Sequence, residues 1–504
     1  MTTFADLPLH VSRGGAEPMA AQIARQIRDA VSAGVLGGGE RLPSSRELAR
    51  TLGISRTVVT TAYTQLFAEG WLEGRHGSGT YIANLPAPHL PAPPSPTGVD
   101  GTLAPIEGAN GTSAPLGSAL MGHRRQSGVP QLGETGQNGA TEPNGATGQI
   151  ELRPGIPWAK GIDPAMWRRA FRQAGNQMPS AWPDPAGLPE FRAEVTGYLR
   201  RARALVAIPE QVLITRGVAS GLALLAAAVV RPGDHVGLEE PGYTSAKQVL
   251  TRAGAIVIPC QVDAHGIVVD ELPSDLKLLY TTPAHQYPLG GRLPVGRRQA
   301  LIAWARETGA VVVEDDYDSE FRYDVAPLPS MSAMDPEAVV YLGTTSKILT
   351  PALGVGWLVA SPALVSRLAE LRRELGDRVP EPVQHAVLAM LRNGDLERHV
   401  RKMRLEYARR REAVVAALGD TGFRLLGDTA GLHVALELRD ADLTARVVRE
   451  AGRRGIGIWP LSRYFAGPVR THGVVIGYGS ISLAQVRQAA EILRDVLQPR
   501  KPHR

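Results

Sequence analysis

One of the six lysines in the chain stands where an amine could do covalent chemistry. The six are Lys160, Lys247, Lys277, Lys347, Lys402 and Lys501. Lys347 ends the polar turn Gly343–Lys347, which follows the apolar run Val339–Leu342. In open α/β folds, ligands bind at the carboxyl ends of such strands. Lys347 is therefore either a solvated charge or an amine that forms an imine with an aldehyde, and the second role requires a pKa lowered by burial or by a nearby cation.

An acidic segment could serve the ring of such an aldehyde cofactor. The string Glu314-Asp315-Asp316-Tyr317 follows the apolar run Ala310–Val313. An acid that points at a pyridine nitrogen keeps the nitrogen protonated and makes the ring an electron sink. Asp315 is the candidate for this contact, and Tyr317 is the candidate donor to the ring oxygen. The alternative is that the acidic pair only caps a helix.

Two further segments could bind a phosphate and cover the ring. Gly217, Val218 and Ala219 open a predicted helix, and a helix start offers free backbone N–H groups to a phosphate dianion. Thr344 could add a hydroxyl group, and Tyr243, in the turn after the next strand, could stack on one ring face. Together these groups meet the needs of pyridoxal phosphate, although each turn could also be a plain connection.

The first 83 residues carry a different kind of site. Their third predicted helix, Arg56–Glu69, presents short polar and basic side chains near its first turn, and such side chains reach base edges and phosphates in a major groove. Arg46 is placed to touch a phosphate, and the wing tip suits the adjacent groove. The residues predicted to contact DNA are Arg46, Ser55, Arg56, Thr57, Thr60, Tyr63, Arg75 and Gly77. The alternative is a docking module with solvated arginines.

The elements that must position these residues divide the chain into four parts. Residues 1–83 show three helices and a hairpin, the pattern of a winged helix-turn-helix. In residues 84–149 about a third of the positions are Pro or Gly, which predicts a flexible linker. Residues 150–362 alternate apolar strands with helices and predict a parallel α/β sheet. Residues 363–504 predict a smaller α+β domain.

Composition narrows the classes of protein to which the chain can belong. Its 504 residues include 43% hydrophobic and 21% charged residues, which is close to the average of globular proteins. The net charge of +6 permits a nucleic-acid partner without demanding one. A single cysteine, Cys260, excludes an internal disulfide and predicts a reducing compartment, so we expect a cytoplasmic protein. No run of residues is long and apolar enough to predict a membrane span, and no metal site is predicted.

Both ends of the chain resemble one known family. The runs Leu42–Ala49, Ser55–Val58, Gly70–Leu72 and Gly77–Tyr81 resemble the winged helix of GntR-family bacterial regulators. The lysine, acid, glycine and tyrosine segments resemble fold-type I aminotransferases. The strings Glu314–Tyr323 and Thr282–Pro288 are similar to those of the MocR subfamily, in which a GntR winged helix is fused to an aminotransferase-like domain with a large and a small part.

The resemblance implies a vitamin B6-dependent transcription factor that acts as a head-to-tail homodimer on operator DNA. Carried over by position, Lys347 forms the internal aldimine, Asp315 pairs with the pyridine nitrogen and Tyr317 with the phenolic oxygen. Tyr243 stacks on the ring, and His285 lies near it together with Gln286. The implied operator contacts are Arg46, Arg56, Thr57 and Gly77.

Several positions depart from the family pattern. Gly354 stands where the family commonly carries an arginine near the phosphate, and Ala219 stands where many members have glutamine. Ser245 replaces the arginine of members that respond to GABA, and Val475 lies where true aminotransferases bind the substrate carboxylate with an arginine. Arg463 is then the candidate for the carboxylate of an effector, against an ordinary surface arginine.

Three functions remain open from the sequence. In the first, pyridoxal phosphate or its aldimine with a small amino compound changes operator binding. In the second, the chain is a working aminotransferase that carries an autoregulatory DNA-binding domain, although the missing arginines weigh against turnover. In the third, the aminotransferase fold survives as a cofactor-free dimerising body.

Overall fold

A computed structural model of the chain describes residues 9–14, 17–75, 79–85 and 149–498. The linker predicted at residues 84–149 lies almost entirely outside these ranges, and the bounds of the four predicted segments remain predictions. The described residues on both sides of it belong to one compact unit. Among the described residues, no helix has the length and hydropathy that a membrane span requires.

The first domain has three helices followed by a two-stranded hairpin. Its elements are α1 (Met19–Ser32), α2 (Ser45–Leu52), α3 (Arg56–Glu69), β1 (Leu72–Arg75) and β2 (Gly79–Ile82). The Ser44 side chain caps α2 by accepting a hydrogen bond from the Glu47 N–H at 3.2 Å, and Gly53 ends α2 with a positive φ of 62°. The hairpin is antiparallel, with Leu72 opposite Ile82. This arrangement confirms the predicted winged helix-turn-helix.

The larger body begins with a mixed eight-stranded sheet covered by helices. Its elements to the end of the sheet are β3 (Ile150–Glu151), α4 (Pro164–Gly175), α5 (Pro189–Arg203), β4 (Val212–Thr215), α6 (Val218–Val229), β5 (His235–Glu240), α7 (Thr244–Arg252), β6 (Ile256–Asp263), β7 (Gly266–Ile267), β8 (Leu278–Thr281), α8 (Val295–Thr308), β9 (Val311–Asp316), β10 (Val339–Thr344) and β11 (Gly356–Val359). The strand order is β4-β11-β10-β9-β8-β5-β6-β7.

The sheet differs from the prediction of parallel strands alone. Five adjacent strands, β10, β9, β8, β5 and β6, are parallel, but β11 is antiparallel to both of its neighbours and β7 is antiparallel to β6. Only residues 345–355 separate β10 from β11, and a crossover between parallel strands usually needs about a dozen residues or more. The parallel strands still direct their carboxyl ends to one edge, which is where ligands bind in such sheets.

The remaining chain forms helices and a four-stranded antiparallel sheet. Its elements are α9 (Pro362–Leu375), α10 (Glu381–Arg392), α11 (Asp395–Leu418), β12 (Leu425–Leu426), β13 (His433–Leu438), α12 (Ala441–Arg453), β14 (Ile456–Gly457), β15 (Trp459–Pro460), β16 (His472–Gly477) and α13 (Leu483–Leu497). The sheet order is β12-β13-β16-β15, and β14 pairs with β3. Leu368 of α9 and Val387 of α10 lie in hydrophobic clusters of the large sheet.

Candidate functional site

The lysine turn and the acidic segment meet because their strands are parallel neighbours. In the pairing of β9 with β10, Asp315 lies opposite Leu342 and Asp316 opposite Gly343. The chain leaves both strands at the same edge of the sheet, so residues 344–347 and residues 317–318 emerge side by side. We call the group formed here by Lys347, Asp315, Tyr317, His285, Asp318 and Tyr243 the strand-end pocket.

Lys347 is partly buried in the strand-end pocket, and its amine is close to the large domain's first segment. Its Nζ donates a hydrogen bond to the Gly155 carbonyl at 2.5 Å. Desolvation lowers the pKa of the Lys347 amine, while the charges of Asp318 and Asp315 partly oppose that shift. A lowered amine pKa is what the nucleophilic role of a lysine requires.

Asp315 is buried, with 4% of its surface exposed, and only one of its carboxyl oxygens is used. Oδ2 accepts a hydrogen bond from the Tyr280 hydroxyl, whereas Oδ1 has no hydrogen-bond partner within the described residues. Burial raises the pKa of Asp315 to about 7. A buried acceptor without a partner is costly, and a protonated ring nitrogen would satisfy it. No helix follows this acidic pair, so it does not act as a helix cap.

Tyr317 and His285 form a buried polar group with Asp318. The Tyr317 hydroxyl lies 3.0 Å from His285 Nδ1 and donates to the His285 carbonyl at 2.9 Å. His285 Nδ1 is also 3.1 Å from each carboxyl oxygen of Asp318. Asp318 therefore orients His285, and His285 in turn orients the Tyr317 phenol, which is the predicted donor to a ring oxygen.

His433, from β13 of the small domain, was not among the predicted site residues. Its ring centroid is 5.2 Å from that of His285, and its Nε2 is 3.1 Å from the Pro288 carbonyl. Burial, followed by the charge of His285, lowers the pKa of His433 to about 3. A single histidine on an apolar strand gives no sequence signal of this proximity, whereas Asp318 lies inside the acidic string and could have been proposed.

The predicted phosphate turn begins α6. Gly217 has a φ of 110°, a conformation that suits only glycine, and it directly precedes Val218 and Ala219 at the helix start. A Cβ on Gly217 would lie 3.7 Å from Thr344 Oγ1, and Thr344 Oγ1 donates to Ser346 Oγ at 2.9 Å. Backbone N–H groups and two hydroxyl groups therefore converge at this turn, which is a suitable environment for a phosphate.

Gly354 offers no side chain to such a phosphate. It has a φ of 56°, and a Cβ there would meet no atom within 4 Å. The space is open, but the left-handed backbone favours glycine over the arginine common in the family. The turn around Gly217 would therefore bind a phosphate through neutral donors.

Tyr243 lies in the pocket beside other aromatic rings. Its ring stacks on that of Tyr280 with centroids 6.5 Å apart and meets Tyr287 edge-on at 5.9 Å. Burial raises the pKa of the Tyr243 hydroxyl, and a hydrogen bond with Ser245 partly opposes this shift. Ser245 thus contributes a hydroxyl contact to Tyr243.

Arg463 lies at the surface and is not one of the buried groups of the strand-end pocket. It is exposed, and its guanidinium is 4.3 Å from the centroid of the Trp459 ring, while that of Arg153 is 5.8 Å from the same ring. Trp459 pairs across the small sheet with Val475, which is fully buried. No described contact joins Arg463 to Lys347, so its role as an effector contact remains a prediction.

The predicted DNA-reading residues are mostly exposed on one side of the first domain. Arg46, Ser55, Arg56, Thr57 and Thr60 are exposed, and Arg56 Nε donates to Ser45 Oγ at 3.3 Å. A helix start with exposed polar side chains suits a major groove. Arg75 is the last residue of β1, but its side chain is not described. Gly77 lies outside the described residues.

Tyr63 does not lie on that exposed side, and the prediction for it was wrong. Its ring is buried with 5% of its surface exposed, and its hydroxyl donates to the Pro43 carbonyl at 2.9 Å. Tyr63 follows Thr60 by three positions, which would keep it near the same face, but the turn before α2 packs over it. The residue holds α3 against the turn instead of reading DNA.

Comparisons with known proteins agree with both halves of this description. Residues 19–82 match the family of bacterial regulatory proteins described as gntR, and residues 156–458 match the family described as aminotransferase class I and II. Pyridoxal phosphate binding is implied for proteins of the second family. An archaeal alanine:glyoxylate aminotransferase has the same fold, with a TM-score of 0.65 and 24% identity over 69% of this chain and 90% of that one.

Two curated relatives match this chain over nearly the whole length of both proteins. The pyridoxine biosynthesis transcriptional regulator PdxR of Corynebacterium glutamicum is 36% identical over 479 residues, which are 95% of each chain. The probable rhizopine catabolism regulatory protein MocR of Rhizobium meliloti is 31% identical over 497 residues, covering 96% of this chain and 95% of the relative. The chain therefore belongs to the GntR family of DNA-binding transcriptional regulators of the MocR and PdxR type, in which a helix-turn-helix domain is joined to an aminotransferase domain.

Proposed function

We propose that this regulator binds pyridoxal phosphate in the strand-end pocket and that occupancy of the pocket changes its affinity for operator DNA. The observation that carries the proposal is the buried Asp315 Oδ1, which has no partner among the described residues, in the same pocket as the lowered-pKa amine of Lys347. When bound, the cofactor supplies an aldehyde that reacts reversibly with amines and a ring that withdraws electrons.

Each pocket residue has a distinct task in this proposal. Lys347 offers a primary amine, and burial has lowered the pKa of that amine. Asp315 Oδ1 accepts a hydrogen bond from the protonated ring nitrogen. Tyr317, positioned by His285 and Asp318, turns its single hydroxyl proton from the His285 carbonyl to the ring oxygen. The N–H groups of Val218 and Ala219 and the Thr344 hydroxyl bind the phosphate, and Tyr243 covers one ring face.

Sensing is favoured over turnover by what the pocket lacks. Val475 is buried and apolar at the position where an arginine would bind a substrate carboxylate, and Gly354 removes a charged phosphate contact. We propose a small amino compound as a second ligand, with Arg463 as the contact for its carboxylate. The identity with PdxR favours the cofactor itself as the primary ligand.

A head-to-tail homodimer that works in the cytoplasm completes the proposal. The segment 178–182 presents Met178 and Trp182 with 88% and 91% of their surfaces exposed. Large apolar side chains that protrude together are typical of interaction sites. We propose that a second copy of the chain covers them, so that two DNA-binding domains reach two half-sites.

The proposal is tested by absorbance and by footprinting on the same preparations. Wild type incubated with pyridoxal phosphate should show a visible absorption band that remains after dialysis, and Lys347→Ala should lose it because no amine reaches the aldehyde. Arg56→Ala should abolish the footprint on DNA upstream of the chain's own gene and leave the band unchanged. Arg200→Ala, on the surface of α5 away from both sites, is the matched control and should change neither.

Each contrary outcome selects another function. A wild type that takes up no pyridoxal phosphate would favour the cofactor-free dimerising body. Sustained transamination of amino acids with keto acids over many turnovers would favour the working enzyme. A footprint that is unchanged when the cofactor is added would contradict the sensing role while leaving the DNA-binding role in place.

A further inference from the structure

The core of the DNA-binding domain includes a residue from the aminotransferase domain. Val295, the first residue of α8, is buried in the same hydrophobic cluster as Leu66 and Trp71. The backbone of Gly70, which ends α3, lies so close that a Cβ there would be 3.0 Å from Pro294 Cβ and 3.3 Å from the Val295 N atom. The end of the recognition helix therefore packs directly on the start of α8.

A polar contact fixes the same helix end. The Ala326 N–H donates to Gln65 Oε1 at 2.9 Å, and Gln65 Nε2 lies 3.4 Å from the Ala326 carbonyl oxygen. Gln65 Nε2 also donates to Glu69 Oε1 at 2.7 Å, and Glu69 accepts from Arg28 at 2.7 Å. The amide of Gln65 is thus held in position from both sides. We call Pro294, Val295 and Ala326 the docking surface.

Docking leaves the DNA-reading end of the helix free. Gln65 and Glu69 occupy the last turns of α3, whereas Arg56, Thr57 and Thr60 lie at its exposed beginning. The contact therefore sets the direction in which α3 points and does not cover the residues that would touch DNA. A contact at this end of α3 does not compete with DNA for the same surface.

A short stretch of chain connects the docking surface to the strand-end pocket. His285 in the pocket and Val295 in the docking surface are joined by a loop that closes on itself, since the Leu293 N–H donates to the Pro283 carbonyl at 2.9 Å. The Gln286 N–H donates to the Gly291 carbonyl at 2.6 Å inside this loop. These bonds tie the two ends of the loop together, so His285 and Val295 are connected both by the chain and by hydrogen bonds.

Arg298 connects this loop to the second part of the docking surface. Its guanidinium donates to the carbonyl of Pro329 at 2.6 Å and to that of Pro283 at 3.2 Å. Pro329 lies three residues beyond Ala326, which contacts Gln65. Burial lowers the pKa of Arg298, and the charges of Glu314 beside the pocket and Glu69 in α3 oppose this shift. The buried Arg298 guanidinium is thus attracted both to Glu314, beside the pocket, and to Glu69, in the DNA-binding domain.

We propose that the docking surface transmits occupancy of the strand-end pocket to the recognition helix, by fixing α3 through Gln65 and Gly70 in a direction that depends on the position of His285. The inference rests on the proposed function and specifies its route. A ligand changes DNA affinity only if it favours one docked arrangement over another. Removing the contact should therefore remove the response to ligand while leaving both binding sites intact.

Two variants in the full chain test this inference against a matched control. Gln65→Ala removes the polar contact, and Gly70→Ala forces a methyl group against Pro294. Gly53→Ala is the control, because Gly53 also ends a helix of the same domain with positive φ but a Cβ there meets no atom within 4 Å. The measurement is the ratio of operator affinities with and without pyridoxal phosphate, together with cofactor uptake by absorbance.

The expected result is a wild-type ratio of about 5- to 150-fold, the usual range of allosteric coupling, and a ratio near 1 in Gln65→Ala and Gly70→Ala. Gly53→Ala should keep the wild-type ratio, and all variants should keep cofactor uptake. Hydrogen exchange at the Ala326 amide should change with ligand in wild type and not in Gln65→Ala. Full wild-type ratios in both docking variants would overturn this route alone, whereas a wild type that takes up cofactor without any change in operator affinity would overturn the proposed function as well.

Discussion

The two pocket acids Asp315 and Asp318 differ in what their carboxyl oxygens contact. Both oxygens of Asp318 lie 3.1 Å from His285 Nδ1, whereas Asp315 keeps one oxygen without a partner among the described residues. A carboxylate whose two oxygens both contact one side chain holds that side chain in position. A carboxylate with a buried oxygen that has no partner can accept a hydrogen bond from a ligand. The sequence identified Asp315 from its place at a strand end, but the task of Asp318 depends on a histidine 33 positions away.

His433 makes a pH-dependent contribution to stability. Its pKa in the folded state is about 3, below the ordinary histidine value of 6.5, so between these values the unfolded chain binds a proton that the folded chain does not. The contribution of His433 to the free energy of unfolding is therefore fully present above pH 6.5 and decreases as the pH falls below 6.5. At pH 5.5 the loss should be about 1.4 kcal/mol relative to neutral pH.

The measurement compares wild type with His433→Gln in urea unfolding at pH 7.5 and pH 5.5. Glutamine keeps a donor for the Pro288 carbonyl but takes up no proton. The free energy of unfolding of the variant should therefore fall less between the two pH values than that of wild type. Equal losses in the two proteins would show that His433 binds its proton in the folded state as readily as in the unfolded state.

At the scale of elements, the turn before β13 brings the small domain against the pocket. Gly431 has a φ of 78°, and a Cβ there would lie 2.1 Å from His285 Cε1 and 2.8 Å from Asp318 Oδ2. Such distances exclude any side chain unless His285 moves. The turn thus ties the position of the pocket histidine to the packing of the small domain.

Gly431→Ala should weaken pyridoxal phosphate binding by about tenfold or more, because a displacement of His285 by about 1 Å misplaces Tyr317. Gly455→Ala is the control, since Gly455 has a φ of 76° and a Cβ there meets no atom within 4 Å. Both variants should lose about 1 kcal/mol of stability from the left-handed backbone, and Gly431→Ala should lose about 1–3 kcal/mol more from its overlap with His285. Equal cofactor affinity in the two variants, measured by absorbance titration, would contradict this role of Gly431.

At the scale of the whole molecule, the proposed recognition of two half-sites requires a dimer. The double variant Met178→Ser/Trp182→Ser should sediment as a monomer where wild type sediments as a dimer, because it removes the apolar side chains that we assign to the interface. Val206→Ser is the control, since Val206 is also highly exposed, at 77%, but lies outside the segment. A double variant that remains dimeric in analytical ultracentrifugation would place the interface elsewhere.

Periodicity and turn residues determined much of this protein from the sequence alone. The third helix was predicted at Arg56–Glu69, which are its observed bounds, because Ser55 and Gly70 mark its ends and local preferences decide where a helix starts and stops. The order of strands and helices also placed Lys347, Asp315 and Gly217 at strand ends. These are properties of short segments, and local sequence largely decides them.

Only the tertiary structure decided which distant segments touch. The inward position of Tyr63, the antiparallel strand β11, the approach of His433 to His285 and the packing of Val295 in the DNA-binding domain all depend on contacts between residues far apart in the chain. Such contacts follow from how whole surfaces fit together, and no local pattern encodes that fit. The sequence therefore determined the chemistry available to this regulator, and the packing decided which groups share a pocket.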